Sequence, residues 1–146
     1  MAVDKVSTGH IGLNVTDLER SVEFYRRVFG FEVTATEPGR YAFLGRDGRL
    51  LVTLWQQSGG EFPTGLPGLH HLSFQVDTIE EVRAAEVLLK ELDVRFAHDG
   101  VVPHREGADS GGVFFHDPDG IRLEIYAPTG ATGDAPTPGA PTCGFF

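Results

Sequence analysis

A ten-residue stretch is written twice in this chain, and that repeat constrains the fold more than any other feature. Residues 10 to 19 read His-Ile-Gly-Leu-Asn-Val-Thr-Asp-Leu-Glu, and residues 71 to 80 read His-Leu-Ser-Phe-Gln-Val-Asp-Thr-Ile-Glu. Each copy is a histidine on an alternating stretch, followed by the start of a helix. Self-similarity of this kind marks a duplicated structural unit. Two imidazoles at equivalent places in such a duplicate can serve one site.

The periodicities extend the repeat into two modules. Ile11, Leu13 and Val15 alternate with His10, Gly12 and Asn14, the period of a half-buried strand over Gly9 to Val15. Thr16-Asp17-Leu18-Glu19 offers a capping box, and Leu18, Val22, Tyr25 and Phe29 then recur at helical spacing up to Gly30, a C-terminal stop. Residues 31–35, 41–44 and 50–55 read as three further strands, parted by turns at Pro38-Gly39 and Arg46-Asp47-Gly48. The first module, about 7–57, is therefore β-α-β-β-β.

After a Gly/Pro-rich linker at 59–68, the second module (about 69–127) repeats the plan: a strand over 70–76, a helix near 79–92, and strands at 94–97, 112–116 and 121–127. Pro103 to Ser110 is a polar loop. Residues 128–146 are Pro/Gly/Ala/Thr-rich with almost no apolar period, which predicts a mostly disordered tail. Its Cys143-Gly144-Phe145-Phe146 end is the exception, either docking somewhere or forming the stub of a linker. The expected architecture is α+β: residues 1–127 form one domain of two βαβββ modules, with a curved mixed sheet around a cleft.

Charge and length narrow the function classes. The net charge of −9 argues against general affinity for nucleic acid or an anionic membrane. No apolar run reaches the ~20 residues of a membrane span, and the start shows no signal pattern, so the expectation is a cytoplasmic protein. One cysteine cannot make an internal disulfide.

Chemistry gathers on the polar faces of three strands. His10 opens the first and His71 the fifth, while on the last strand Arg122, Glu124 and Tyr126 face away from Leu123 and Ile125. A carboxylate in mid-strand is costly without a partner or a wet cavity, and a metal ion would satisfy it. Two imidazoles and one carboxylate form the facial set used by non-haem Fe(II), with positions left open. Catalytic zinc takes the same ligands. Aligning Asp47-Gly48 with Asp119-Gly120 sets Val52 opposite Glu124, so three protein ligands are expected rather than four. His70 should point away from His71, and His98, His104 and His116 carry no signal in their spacing. Trp55, Gln56, Arg40, Tyr41, Arg122 and Tyr126 are weaker candidates for contacting a ligand, against core packing or surface pairing. No residue is singled out as catalytic.

Paired βαβββ modules, an early strand histidine, Leu18 to Tyr25 leading to Phe29-Gly30-Phe31, and Asp117-Pro118-Asp119-Gly120 before Glu124 together resemble the vicinal oxygen chelate superfamily. That superfamily spans glyoxalase I, fosfomycin-resistance enzymes, extradiol dioxygenases and bleomycin-resistance proteins. The resemblance covers residues 7 to 127 and implies metal ligands at His10, His71 and Glu124. It implies a divalent ion, with Fe(II) favoured and Mn(II), Zn(II) or Ni(II) open. It also implies a homodimer in which His10 of one subunit joins His71 and Glu124 of the other. Glyoxalase I carries a glutamate at the place of Val52, which weakens a lyase reading. Extradiol dioxygenases carry a tyrosine where this chain has Phe114, and an acid–base histidine upstream of the second ligand for which this chain shows no obvious equivalent. The expected function is a metal-dependent enzyme on a small oxygen-chelating molecule, dioxygenase-like ahead of lyase or isomerase. The alternative is a small-molecule binder giving antibiotic resistance by sequestration, its cavity lined by Trp55, Phe114 and Tyr126.

Overall fold

The computed structural model describes residues 2–146, which divide into two compact units, one ending at Gly60 and the other running from Glu61 to Phe146. The first holds β1 (Ile11–Asn14), α1 (Leu18–Phe29), β2 (Glu32–Glu37), β3 (Tyr41–Arg46) and β4 (Arg49–Trp55). The second holds β5 (Leu72–Gln75), α2 (Ile79–Glu91), β6 (Val102–Pro103), β7 (Gly111–His116) and β8 (Arg122–Ala127). The strand orders, β1-β4-β3-β2 and β5-β8-β7-β6, are the same. In each unit the first strand pairs parallel with the last and the other pairings are antiparallel. A parallel pair needs a long crossover, and the helix supplies part of it. The α+β, two-module architecture is therefore present. No helix among the described residues is long and apolar enough to cross a membrane.

Local chemistry sets the helix ends. Asp17, not Thr16, caps α1: its carboxylate accepts from Arg20 N at 3.1 Å, while the Thr16 hydroxyl accepts from the Arg20 guanidinium. Asp17 is the residue next to the first helical position, so its shorter reach wins over the Thr-x-x-Glu pattern. Gly30 closes the helix at φ 67°, a conformation that costs a glycine nothing. Leu18, Ser21 and Tyr25 turn inward, and the Tyr25, Phe29 and Phe31 rings stack in succession at 5.8 and 5.3 Å. The α2 cap is a complete box, with Thr78 and Glu81 each serving the other's backbone N–H.

Three further expectations are corrected. The strand expected at 94–97 does not form as one. Residues 95–97 bond to β7 (His116 N to Arg95 O, Ala97 N to Phe114 O), the chain then bends away over 98–101, and the edge is taken up again by β6. One predicted strand is thus split by an excursion.

The second correction concerns register. Leu44 pairs with Val52 but Gly45 pairs with Leu50, so Leu51 is an extra, bulged residue. In β8 the pairing from His116–Arg122 to Phe114–Glu124 runs without a break. Ile11 lies beside Val52 as Leu72 lies beside Leu123, and the counterpart of Glu124 is therefore Thr53, not Val52. Neither residue supplies a second carboxylate.

The third is the 128–146 segment, which is not left free. Gly130 N and Ala131 N bond to Asp109, Ala135 N bonds to Glu106, and Ala135 and Thr142 are buried. A single 3-10 turn at Thr142–Gly144 follows.

Candidate metal and ligand site

The second unit builds its site around Glu124. As a residue of β8, which has β5 on one side and β7 on the other, it is flanked in register by Ser73 and Phe114 and is only 3% exposed. One carboxylate oxygen accepts from the Ser73 hydroxyl at 2.5 Å, and the other lies 3.3 Å from His104 Nε2. His104 Nδ1 is 2.8 Å from Ser110 Oγ, so with the Nε2 proton directed at the carboxylate the serine hydroxyl donates to Nδ1. The His104 ring also packs on Tyr126 at 5.0 Å, and Tyr126 OH donates to Gln75 at 2.8 Å. A buried carboxylate is tolerable only with such partners.

His71 stands immediately before β5, as His10 stands immediately before β1. Its Nδ1 meets that of His70 at 2.9 Å, so the two adjacent histidines are brought together rather than turned apart. Burial holds the His71 imidazole below the usual histidine range, against the upward pull of Glu124, with His70, Arg122 and His104 adding to the depression. His71 and Glu124 thus share one electrostatic neighbourhood. Phe114 forms the floor, fully buried, its ring edge-on to His98 at 5.5 Å and His104 at 6.2 Å. Beyond it Arg122 lines a hollow of about 620 Å³ with Glu61, Arg95, His116 and Phe146.

In the first unit His10 is exposed. Trp55 donates its indole N–H to Thr53 at 2.9 Å and packs against Tyr41 and Phe43 at 5.6 and 5.7 Å. Gln56 caps α1 through Leu18 N at 2.8 Å, and Arg40 pairs with Glu37 at 2.9 Å on the surface, so both have structural roles.

Among the described residues no three His, Cys, Asp or Glu side chains already surround one ion position. The donor chemistry nevertheless fits a borderline divalent ion: an imidazole–carboxylate set within one unit, with His71 and His104 both near Glu124. His104 is the residue that sequence reasoning passed over. It lies at the start of a polar loop, where no periodicity marks a side chain as inward.

The comparisons agree with this architecture. The chain is 32% identical over 137 residues to a trivalent organoarsenical cleaving enzyme of Bacillus sp. (strain MD1), covering 92% of this chain and 80% of that one. It is 29% identical over 122 residues to a catechol-2,3-dioxygenase of Bacillus subtilis (strain 168), covering 82% of this chain and 40% of that one. The structure of a glyoxylase/bleomycin resistance protein/dioxygenase domain from Frankia sp. EAN1pec superposes with a TM-score of 0.70 at 25% identity, covering 84% of this chain and 92% of that one. The family model for the glyoxalase/bleomycin resistance protein/dioxygenase superfamily matches residues 7–125, and the chain belongs to that superfamily.

Proposed function

We propose that this chain is a divalent-metal-dependent enzyme acting on a small organic molecule that chelates through adjacent oxygens. The observation that carries the reading is Glu124, a buried mid-strand carboxylate held by a hydroxyl and an imidazole rather than by a lysine or arginine. Burying an ionised carboxylate without a full countercharge costs several kcal/mol, on the order of the penalty that a metal ion offsets. Glu124 and His71 would hold the ion together with His10, which in a homodimer comes from the second copy. Once bound, the ion supplies Lewis-acid polarisation of the chelated oxygens.

The chain's own residues do the rest. Ser73 and His104 fix the carboxylate's orientation, the role of outer partners around a ligand. Tyr126, half-buried and packed on His104, would give the ligand an aromatic wall, and Arg122 would offer positive charge to oxygens that gain negative charge. With one carboxylate and no obvious dedicated base among the described residues, dioxygenase-like chemistry stands ahead of lyase or isomerase chemistry. Relatives named for cleaving trivalent organoarsenicals and for catechol dioxygenation make these the first two substrate classes to assay.

The test begins with bound metal in the purified protein, in His71→Ala and in the isosteric Glu124→Gln. Loss of the ion from both variants supports the reading. Fe(II)-loaded protein is then assayed for oxygen uptake with catechols and for loss of a trivalent organoarsenical. One observation favours sequestration as a second reading: both Glu124 oxygens already have protein partners. A parent protein without metal, unchanged by either substitution, would decide for it.

A further inference from the structure

Residues 142–146 end on the candidate site itself. Thr142 is the anchor: 1% exposed, it donates its N–H to His104 O at 2.7 Å and its hydroxyl to Pro103 O at 2.6 Å. Beyond the 3-10 turn, Phe145 projects outward, 57% exposed, while the Phe146 ring goes in. That ring meets Phe114 edge-on at 5.0 Å and His71 at 5.5 Å, with His70 and His98 at 6.1 and 6.2 Å. The Arg122 guanidinium lies 5.7 Å from its centroid. Edge-to-face and cation–π contacts of this kind are the ones by which a protein seats an aromatic ligand.

We propose that this segment is an intrasteric plug: Phe146 occupies the aryl seat beside His71, and a ligand must displace it. The proposal rests on His71 and Glu124 being the functional site. Two features make the contact more than casual packing. The segment is fixed at Asp109 and Glu106 and again at Thr142, so the Phe146 ring is presented from a held backbone. Thr142 also holds the backbone of His104, whose side chain lies on Glu124, so plug and carboxylate share one loop. Releasing Thr142 loosens the loop that keeps His104 against the carboxylate.

Diethyl pyrocarbonate modification of the metal-free full chain, mapped by mass spectrometry, tests the plug without needing metal or activity. Phe146→Ala should speed modification of His70 and His71 by about two- to tenfold, the range of an aromatic contact. Phe145→Ala should leave it unchanged, and His10 serves as the internal reference. Equal rates at His71 in the parent and in Phe146→Ala overturn the proposal. If Phe146→Ala opens His71 but neither protein binds Mn(II) or Fe(II), the plug stands and the metal reading fails.

Discussion

Replacing Thr142 by valine should loosen residues 142–146 without unfolding anything else. Valine keeps the shape of threonine, so the buried site is neither emptied nor overfilled. What is lost is one hydroxyl donor, bonded to Pro103 O at 2.6 Å in a place with 1% exposure; the backbone bond to His104 O survives. A buried hydrogen bond is worth roughly 1 kcal/mol net, rising to about 3 kcal/mol if the acceptor is stranded. At about 1.4 kcal/mol per tenfold, the open population of the segment should rise roughly 5- to 150-fold. Hydrogen–deuterium exchange reads this directly: the amide of Thr142 should exchange faster by that factor, and those of Ala135, held separately on Glu106, and of the β3–β4 ladder should not change. Unaltered exchange at Thr142 would show that the hydroxyl bond does not hold the segment, and the reasoning would fail at its anchor.

Gly112→Ala should destabilise the second unit severely, because a Cβ there would press on Ile125 O and come within 2.8 Å of Tyr126 Cα, backbone that cannot yield. Overpacking of this kind costs about 1–3 kcal/mol or more, readable as a lower Tm, whereas Gly9→Ala, with nothing within 4 Å of its Cβ, should leave Tm nearly unchanged. Stability should fall as pH drops below the ordinary histidine value of about 6.5. Burial lowers the folded-state pKa of His71, His98 and His116, so the unfolded chain binds more protons in that window and acid favours unfolding. Denaturant midpoints at pH 7 and pH 5 check the sign. His98→Phe should flatten the slope, since His98 Nε2 is buried with no hydrogen-bond partner among the described residues.

The fold was legible because its information is periodic. Leu13 and Val15 in one unit, and Leu72 with its neighbours in the other, repeat every second residue, and Leu18 and Tyr25 lie a helical interval apart. Departures arise where one residue changes the count. Leu51 bulges, which no alternation reveals, because leucine is as acceptable on a bulge as on either face of a buried strand. The 128–146 segment escaped for a related reason. It is held by two small buried residues and one aromatic, Ala135, Thr142 and Phe146, and three anchors in nineteen residues make no period.

Once the bulge is counted, the two units match residue for residue, and what stands at one inward position gives them different chemistry. That count sets Thr53 and Glu124 at the same inward position, each beside a small residue on the parallel neighbour, Gly12 or Ser73, and each across from a phenylalanine, Phe43 or Phe114. In the first unit the position is satisfied within its own strand: the Trp55 indole N–H donates to the Thr53 hydroxyl, and no charge is buried. In the second unit Tyr126 stands where Trp55 does, but it reaches Gln75, and the carboxylate must find donors elsewhere. Ser73 supplies one, and the second comes from His104 on the loop before β7. The longer 103–110 loop of the second module is therefore part of the site, and the carboxylate depends on it. Sequence could mark Glu124 as expensive; only the path of that loop shows which side chain makes its burial tolerable.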